Sequence, residues 1–569
     1  MRFFAVSGAA LVFASAAVAR EMAKDEARAK AFYDNGLTHQ QHLKNKVDNW
    51  MAAADAGLFS SEKWPRLNYT KCIDGKVEAV KGDPLHTFKC KNIDLYDFIN
   101  HATLGSPNGW DEAGDGLLLT GSGSWGWTDP ESGREFIASG MYDGTALLEI
   151  LPEGRLLHLA FLPSPVDPND RYSFWKELRS YKHYMIIGSE RRGHGVQIFD
   201  MRKLLTVNPA KAPVKFDGLA DLTGHFMEMP LGASHNVVVN EEKEYMVAVG
   251  SAPRTDVECQ AGLIFVDLKD PSKPKKIACN GDDGYVHDAQ CLPYKGPDTR
   301  YQGRDICYGY NEDSLTIYDV TDKTKSTIIS VTSYEGVQYS HQGVVLDPNN
   351  QEFLLLDDEL DEIRSSGMAM DKYPVTYIWD IRDLEHPKQT GLYKGTVPAV
   401  DHNQYVMGNG LVYQSNYMAG YRVYDISSIP TDPTGNSVCE VAYLDIHPED
   451  DAAPGGGVAD MFGTWSSYAM FPSGFIYINT IERGGYLAKM TRRASCPRAA
   501  SCNADNCLRA MRSTSVAGRL EESQKFCGEF TKTFIADVSV VPDYASKACG
   551  ANVISRVSSA CSCLPTPTP

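Results

Sequence analysis

A short β-rich run ending in an acidic residue recurs along the chain and limits what it can fold into. It reads Gly195-Val-Gln-Ile-Phe-Asp200, Gly262-Leu-Ile-Phe-Val-Asp267, Ser314-Leu-Thr-Ile-Tyr-Asp319, Val375-Thr-Tyr-Ile-Trp-Asp380 and Gly420-Tyr-Arg-Val-Tyr-Asp425, with degenerate copies at Gly144–Glu149 and Gly485–Met490. Intervals between the terminal acids run from 45 residues (Asp380 to Asp425) to 67 (Asp200 to Asp267). That is the period of a four-stranded blade with variable loops rather than of a helical solenoid. Each period also holds further runs of β-branched and aromatic residues separated by turn residues, as in Ser234–Val239 and Glu244–Gly250 before Gly262. The fold class expected is all-β, a seven-bladed β-propeller with a short N-terminal helical segment and a small disulfide-rich C-terminal module.

Residues 1–19 carry Arg2, an apolar run and the small-residue ending Ala17-Val18-Ala19, which reads as a secretory signal peptide. No later stretch reaches the roughly 18 to 20 apolar residues of a spanning helix. The formal charge of −18, from 55 basic and 73 acidic residues, argues against nucleic acid or anionic membrane as partner. Residues 20–104 read as a helical extension outside the propeller with a disulfide loop, 105–493 as the propeller, and 494–569 as a Cys-rich module. Fourteen cysteines in an exported chain imply disulfides. Cys72 with Cys90, Cys259 with Cys279 and Cys291 with Cys307 are near neighbours, and Cys439 would pair with Cys496, leaving six tail cysteines of open connectivity. The tail has no His and no repeated Cys-x-x-Cys, so zinc is the weaker reading there. Asn68-Tyr69-Thr70 is a glycosylation sequon.

The strand endings resemble LVIVD repeats. The runs Ser234-His-Asn236, Tyr285-Val-His-Asp-Ala-Gln-Cys291, Ser340-His-Gln-Gly343, Leu356-Asp-Asp-Glu359 and Val400-Asp-His-Asn403 are similar to the choice-of-anchor B family of secreted propeller-like proteins. The tail, from Cys502 to Cys507 and on to Cys561-Ser-Cys563, resembles a cysteine-rich module of exported fungal proteins. The resemblance implies a propeller fold, an extracellular or cell-wall location and a fungal source. It supplies no reaction and no catalytic residues.

Function must therefore be read from the residues. Four consecutive periods open their first strand with histidine, His235, His287, His341 and His402, while the other three open with Trp127, Trp175 and Trp465. First strands of a propeller line the central channel, and the loops joining strands two and three reach the same rim. Those loops hold Glu190, Glu312, Asp357, Asp358, Glu359 and Tyr417, and the histidines are flanked by Asn236, Asp288, Gln342, Asp401 and Asn403. Such a mouth could bind a divalent metal, Zn or Ca, through the four histidines with a rim carboxylate. Asn236, Asp288 and Asp401 would then orient the rings. Alternatively each His simply staples its blade. His39 and His42 follow no repeat logic and read as surface or local structural residues. No nucleophile elbow, Walker loop, His-Glu-x-x-His or dinucleotide fingerprint is present. Three readings follow: a secreted propeller binding an extracellular glycan, peptide or protein at its His- and carboxylate-lined mouth, a metal-dependent extracellular hydrolase or lyase, or a structural cell-wall or coat protein.

Overall fold

The computed structural model describes residues 20–105, 120–166 and 175–494, Cys496, and most of 506–564. The signal-peptide expectation falls on residues 1–19, outside the described residues. The chain divides into two units, Met1–Ala494 and Ser495–Pro569.

The first unit is a seven-bladed β-propeller. Blade 1 starts at Gly121–Thr128, blade 2 at Lys176–Tyr181, blade 3 at Asn236–Asn240, blade 4 at Asp288–Pro293, blade 5 at Ser340–Val345, blade 6 at Gln404–Val406 and blade 7 at Thr464–Tyr468. These inner strands follow one another in a closed circuit, the last against the first, with blade 6 meeting blade 7 through its second strand, Leu411–Ser415. All seven copies of the repeated phrase form the third strand of their blades, from Gly144–Ile150 in blade 1 to Gly484–Met490 in blade 7. The acid that ends the phrase has one job in common in the five well-formed copies. Its Oδ1 accepts the backbone N–H two residues on, at Arg202, Lys269, Thr321, Arg382 and Ser427, at 2.8 to 3.1 Å. This Asx turn ends the strand and starts the outward loop. Glu149 instead pairs with Arg134, and Met490 has no carboxylate to offer, which is why those copies look degenerate.

Residues 20–104 are woven into the propeller rather than lying outside it. Ile93–Asn100, expected in the extension, is the outer strand of blade 7, paired from Gly484↔Asn100 to Met490↔Ile93. The ring is thus closed by a strand from before blade 1 beside three from the end of the unit. Glu21–Met22 adds to the outer edge of blade 4, and Lys76–Glu78 with Thr87–Lys91 extends blade 6. Outer edges that would otherwise be open to pairing are covered in this way. Between them runs helix α1, Leu37–Asp55, begun after Gly36 at φ 75° and free of Gly and Pro throughout. Its buried residues, Thr38, His42, Lys46, Trp50 and Ala53, fall at helical spacing on one stripe. Trp50 packs with Trp175, Trp465, Met461 and Phe59 in one buried cluster at the channel mouth.

Disulfides join Cys72–Cys90, Cys259–Cys279 and Cys291–Cys307, and Cys439 and Cys496 are also disulfide-bonded. In the second unit Cys507–Cys549 and Cys527–Cys561 link helices Asn506–Met511, Arg519–Phe530, Asp543–Cys549 and Val553–Cys561. Cys502 and Cys563 lie outside the described residues. Leu508, Met511, Phe530, Val541 and Val557 give this unit a small apolar core of its own.

Closure through Ile93–Asn100 makes a direct prediction. Phe98 is 1% exposed and packs 4.4 Å from the Tyr486 ring across the closing pair. Phe98→Ala should cost about 3–5 kcal/mol in urea or thermal unfolding. A loss under about 1 kcal/mol would mean that this strand does not hold the ring.

Candidate functional site

The channel mouth is built from the first-strand position of each blade. His235, His287 and Trp175 immediately precede their strands, and His341 and Trp465 sit next to a bulge after the first pair. Ring centroids run 4.0 Å from His235 to His287, 4.5 Å to His341, 4.5 Å to His402, 4.7 Å to Trp465, 5.6 Å to Trp175 and 6.1 Å back to His235. Six rings therefore form a closed circuit. In blade 1 the equivalent residue is Ser122, because Gly121 pairs with Met141 before the same bulge that follows Thr464. Its neighbour Gly123 has no room for a Cβ, which would lie 2.4 Å from the Lys176 carbonyl. Trp175 and Trp465 stack across this narrow blade. Trp127, expected at the mouth, lies instead at the far end of its strand, stacked on Phe136 in the core between blades 1 and 2.

Each histidine is anchored through Nδ1, and the anchors differ from the expected Asn236, Asp288 and Asp401. His235 binds Glu190 at 2.6 Å, His287 donates to the His341 carbonyl at 2.8 Å, His341 meets Asp357 at 3.2 Å, and His402 donates to the Trp465 carbonyl at 2.8 Å. A carbonyl can only accept, so the protons of neutral His287 and His402 sit on Nδ1 and their Nε2 lone pairs are free. Burial, reinforced by neighbouring imidazoles, holds both rings well below the ordinary histidine range. His341 goes the other way: burial lowers it, but Glu359 and Asp357 outweigh that and raise it. Asn236 and Asp288 cap the next backbone N–H, Asp288 also takes Gln342 Nε2, Gln342 Oε1 takes the Gln404 N–H, and Asn403 donates to Trp465. These flanking residues tie the inner strands to one another.

Glu359, in the loop after the second strand of blade 5, is the hub. Lys46 Nζ of α1 donates to Oε1 at 2.6 Å, Tyr417 O–H donates to the same oxygen, and His42 Nε2 lies 2.9 Å from Oε2. His402 Nε2 stands 3.5 Å from Oε1. Burial pushes the Glu359 carboxyl up, but Lys46, His42 and His341 outweigh it and hold the group well below the usual range. Burial and Lys46 push His42 down to about 4, so a neutral His42 donates its Nε2 proton to Oε2. Ligand atoms of His341, Glu359 and His402 all lie within 4.8 Å of one another. His235 and His287 share the ring but stand outside that group. Glu258, Cys259 and Cys279 also lie close together, but both cysteines are locked in a disulfide.

The other rim acids do different work. Asp358 accepts from Tyr334 O–H and the N–H groups of Gln338 and Tyr339, and so orders that turn. Glu312 grips Arg254 with both oxygens at 2.7 Å. Burial raises Asp357 to about 6 and lifts Asp361, Glu362 and Asp401 well above the carboxylate range. Asn68 is exposed, its Oδ1 accepting from Arg155.

Two spaces lie where α1 meets the ring. The inner one, lined by His42, Lys46, Glu359 and the four first-strand histidines, has a cavity volume of ≈ 10 Å³, enough for one water or ion. The outer one, ≈ 370 Å³, opens beside α1 between Asn35, His39, Gln40 and Leu43 on one side and Glu190, Arg254 and Tyr285 on the other. His39 joins it to the ring, bound to Tyr339 O–H at 2.6 Å and lying 3.6 Å from Glu190. His39, His42, Lys46 and Trp50 escaped the repeat-based reading because α1 is not part of any repeat. Their spacing of three, four and four residues was the available signal.

No family profile matches the chain, and no curated protein does. Among solved structures it is similar to the C-terminal WD40 domain of Sif2, at 11% identity and TM-score 0.37 over 75% of this chain and 97% of that one. It is also similar to the extracellular domain of the putative one component system BT4673 from B. thetaiotaomicron, at 12% identity and TM-score 0.36 over 65% of this chain and 38% of that one.

Removing one partner of the Glu359 hub leaves a buried charge uncompensated. Lys46→Met should cost about 3–5 kcal/mol in metal-free buffer, and His287→Ala about 1–3 kcal/mol for the orphaned His341 carbonyl. Equal, sub-kcal effects in chemical denaturation would mean that the mouth is solvated and loosely packed.

Proposed function

We propose that the protein is a secreted binding propeller whose mouth holds a divalent ion at His341, Glu359 and His402, next to a cleft for an extracellular ligand. One observation carries the ion. The Nε2 lone pair of His402 and Oε1 of Glu359 face each other at 3.5 Å, two acceptors that a single ion can bridge by taking the place of the Lys46 ammonium on Oε1. His341 adds a third donor, and two imidazoles with one carboxylate suit zinc rather than calcium, which takes oxygen ligands. The ≈ 10 Å³ inner space admits an ion but no organic substrate while α1 is seated, so the ligand belongs in the ≈ 370 Å³ cleft. The disulfides fit an oxidising compartment, and among the described residues no helix is long and apolar enough to cross a membrane. A glycan, peptide or protein ligand, membership of the LVIVD-like choice-of-anchor B group and a cell-wall setting belong to this same reading.

The test is zinc titration by calorimetry on protein stripped with chelator. Wild type should bind one zinc, Glu359→Gln and His402→Ala should lose it, and His287→Ala should keep it. Lys46→Met should bind about tenfold tighter or more, since an ammonium on Oε1 opposes a dication. Binding lost equally in His287→Ala, or unaffected by Glu359→Gln, would overturn the assignment.

A further inference from the structure

The Lys46 ammonium sits in a built cage. It is held by Glu359 at 2.6 Å and lies 5.1 Å from the Trp465 ring centroid, 5.7 Å from Tyr417 and 5.8 Å from Trp175. One carboxylate and three aromatic faces within about 6 Å of a cation is the arrangement by which proteins recognise ammonium ligands. Every wall of this cage belongs to the propeller: Trp465 and Trp175 from first-strand positions, Tyr417 and Glu359 from loops joining second and third strands. Blade closure runs through Ile93–Asn100 and does not involve α1. The cage is therefore part of the ring, and the cation is brought to it by a helix that the ring does not need in order to close.

The stripe that α1 buries is also a poor structural staple. Three of its five buried residues are Thr38, His42 and Lys46. A buried ion pair seldom stabilises more than apolar residues of the same size, whereas it does discriminate between partners. Along one side α1 is not sealed, because the ≈ 370 Å³ cleft runs between its Gln40 and Leu43, with Asn35 just before the helix, and the propeller's Arg254 and Tyr285.

We infer that the cage of Glu359, Trp175, Trp465 and Tyr417 is a recognition site for an alkylammonium group such as a lysine side chain, with Lys46 as a tethered occupant that an external alkylammonium displaces. The inference does not rest on the metal reading, although both use Glu359, and its test is run in chelator so that the two can fail separately.

Lys46→Ala in the full chain removes three methylenes and the ammonium, the size of n-propylammonium. Calorimetry should show saturable n-propylammonium binding to Lys46→Ala, about tenfold or more tighter than to wild type. n-Propanol should not replace it, and Lys46→Ala/Glu359→Gln should lose it. In wild type, saturating n-propylammonium should raise hydrogen exchange across residues 37–55 while n-propanol does not. If Lys46→Ala does not fold alone, its recovery as folded protein in n-propylammonium but not n-propanol supports the inference, and no recovery in either overturns it. Equal effects of amine and alcohol, or no binding to the folded variant, overturn it too. Binding to the variant with no rise in wild-type exchange would make the cage a fixed seat and overturn displacement.

Discussion

A carboxylate taken out of water must be compensated, and in this propeller that requirement falls on Glu359. Its two oxygens receive Lys46, Tyr417 and His42, and His402 faces it from the ring. An isolated buried charge would cost many kcal/mol, so these partners cannot be absent together. All three come from helix or loop segments rather than from strands, Lys46 and His42 from α1 and Tyr417 from a loop of blade 6. The mouth is thus held by one charge that recruits α1 onto the ring, while Trp50 adds apolar burial beside Trp175 and Trp465. Apolar packing seats the helix, and the charge decides which residues it must present.

The ring itself is set by a different constraint. Seven inner strands leave seven side chains at one level of the channel, and four imidazoles and two indoles in mutual contact, mostly tilted or edge-on, fill six of those places. Blade 1 contributes Ser122 and Gly123, where the Lys176 backbone leaves no room for a Cβ, and the two indoles close over it. The imidazoles point their Nδ1 edges at fixed carbonyls or carboxylates of the ring and rim, and for His287 and His402, which face backbone carbonyls, this fixes the tautomer. This turns a packing ring into one with free nitrogen lone pairs on its inner side, the prerequisite for holding a cation.

The architecture was legible because each blade repeats the same local solution. The terminal Asp of the third strand is an Asx turn in five blades, so sequence and backbone geometry report the same event. The first-strand histidines were visible for the same reason. What repeats cannot show is anything contributed once. Ile93–Asn100 reads as a strand but nothing local says that it pairs with Gly484–Met490 almost four hundred residues later. Trp127 reads as the opening of its period, whereas the strand already begins at Gly121, Ser122 holds the ring position beside the bulge, and Trp127 lies at the strand's far end. Lys46 and His42 belong to a helix whose composition reads as solvated; their burial is imposed by Glu359, a partner more than three hundred residues away.

The most direct measurement is anomalous diffraction at the zinc edge from crystals of the Lys46→Met protein soaked in zinc. The account predicts one strong peak at about 2.0–2.2 Å from a nitrogen of His341, a nitrogen of His402 and an oxygen of Glu359. Zinc found only elsewhere, with Glu359 still facing His402 across an empty gap, would contradict the claim that this carboxylate is the seat of a cation.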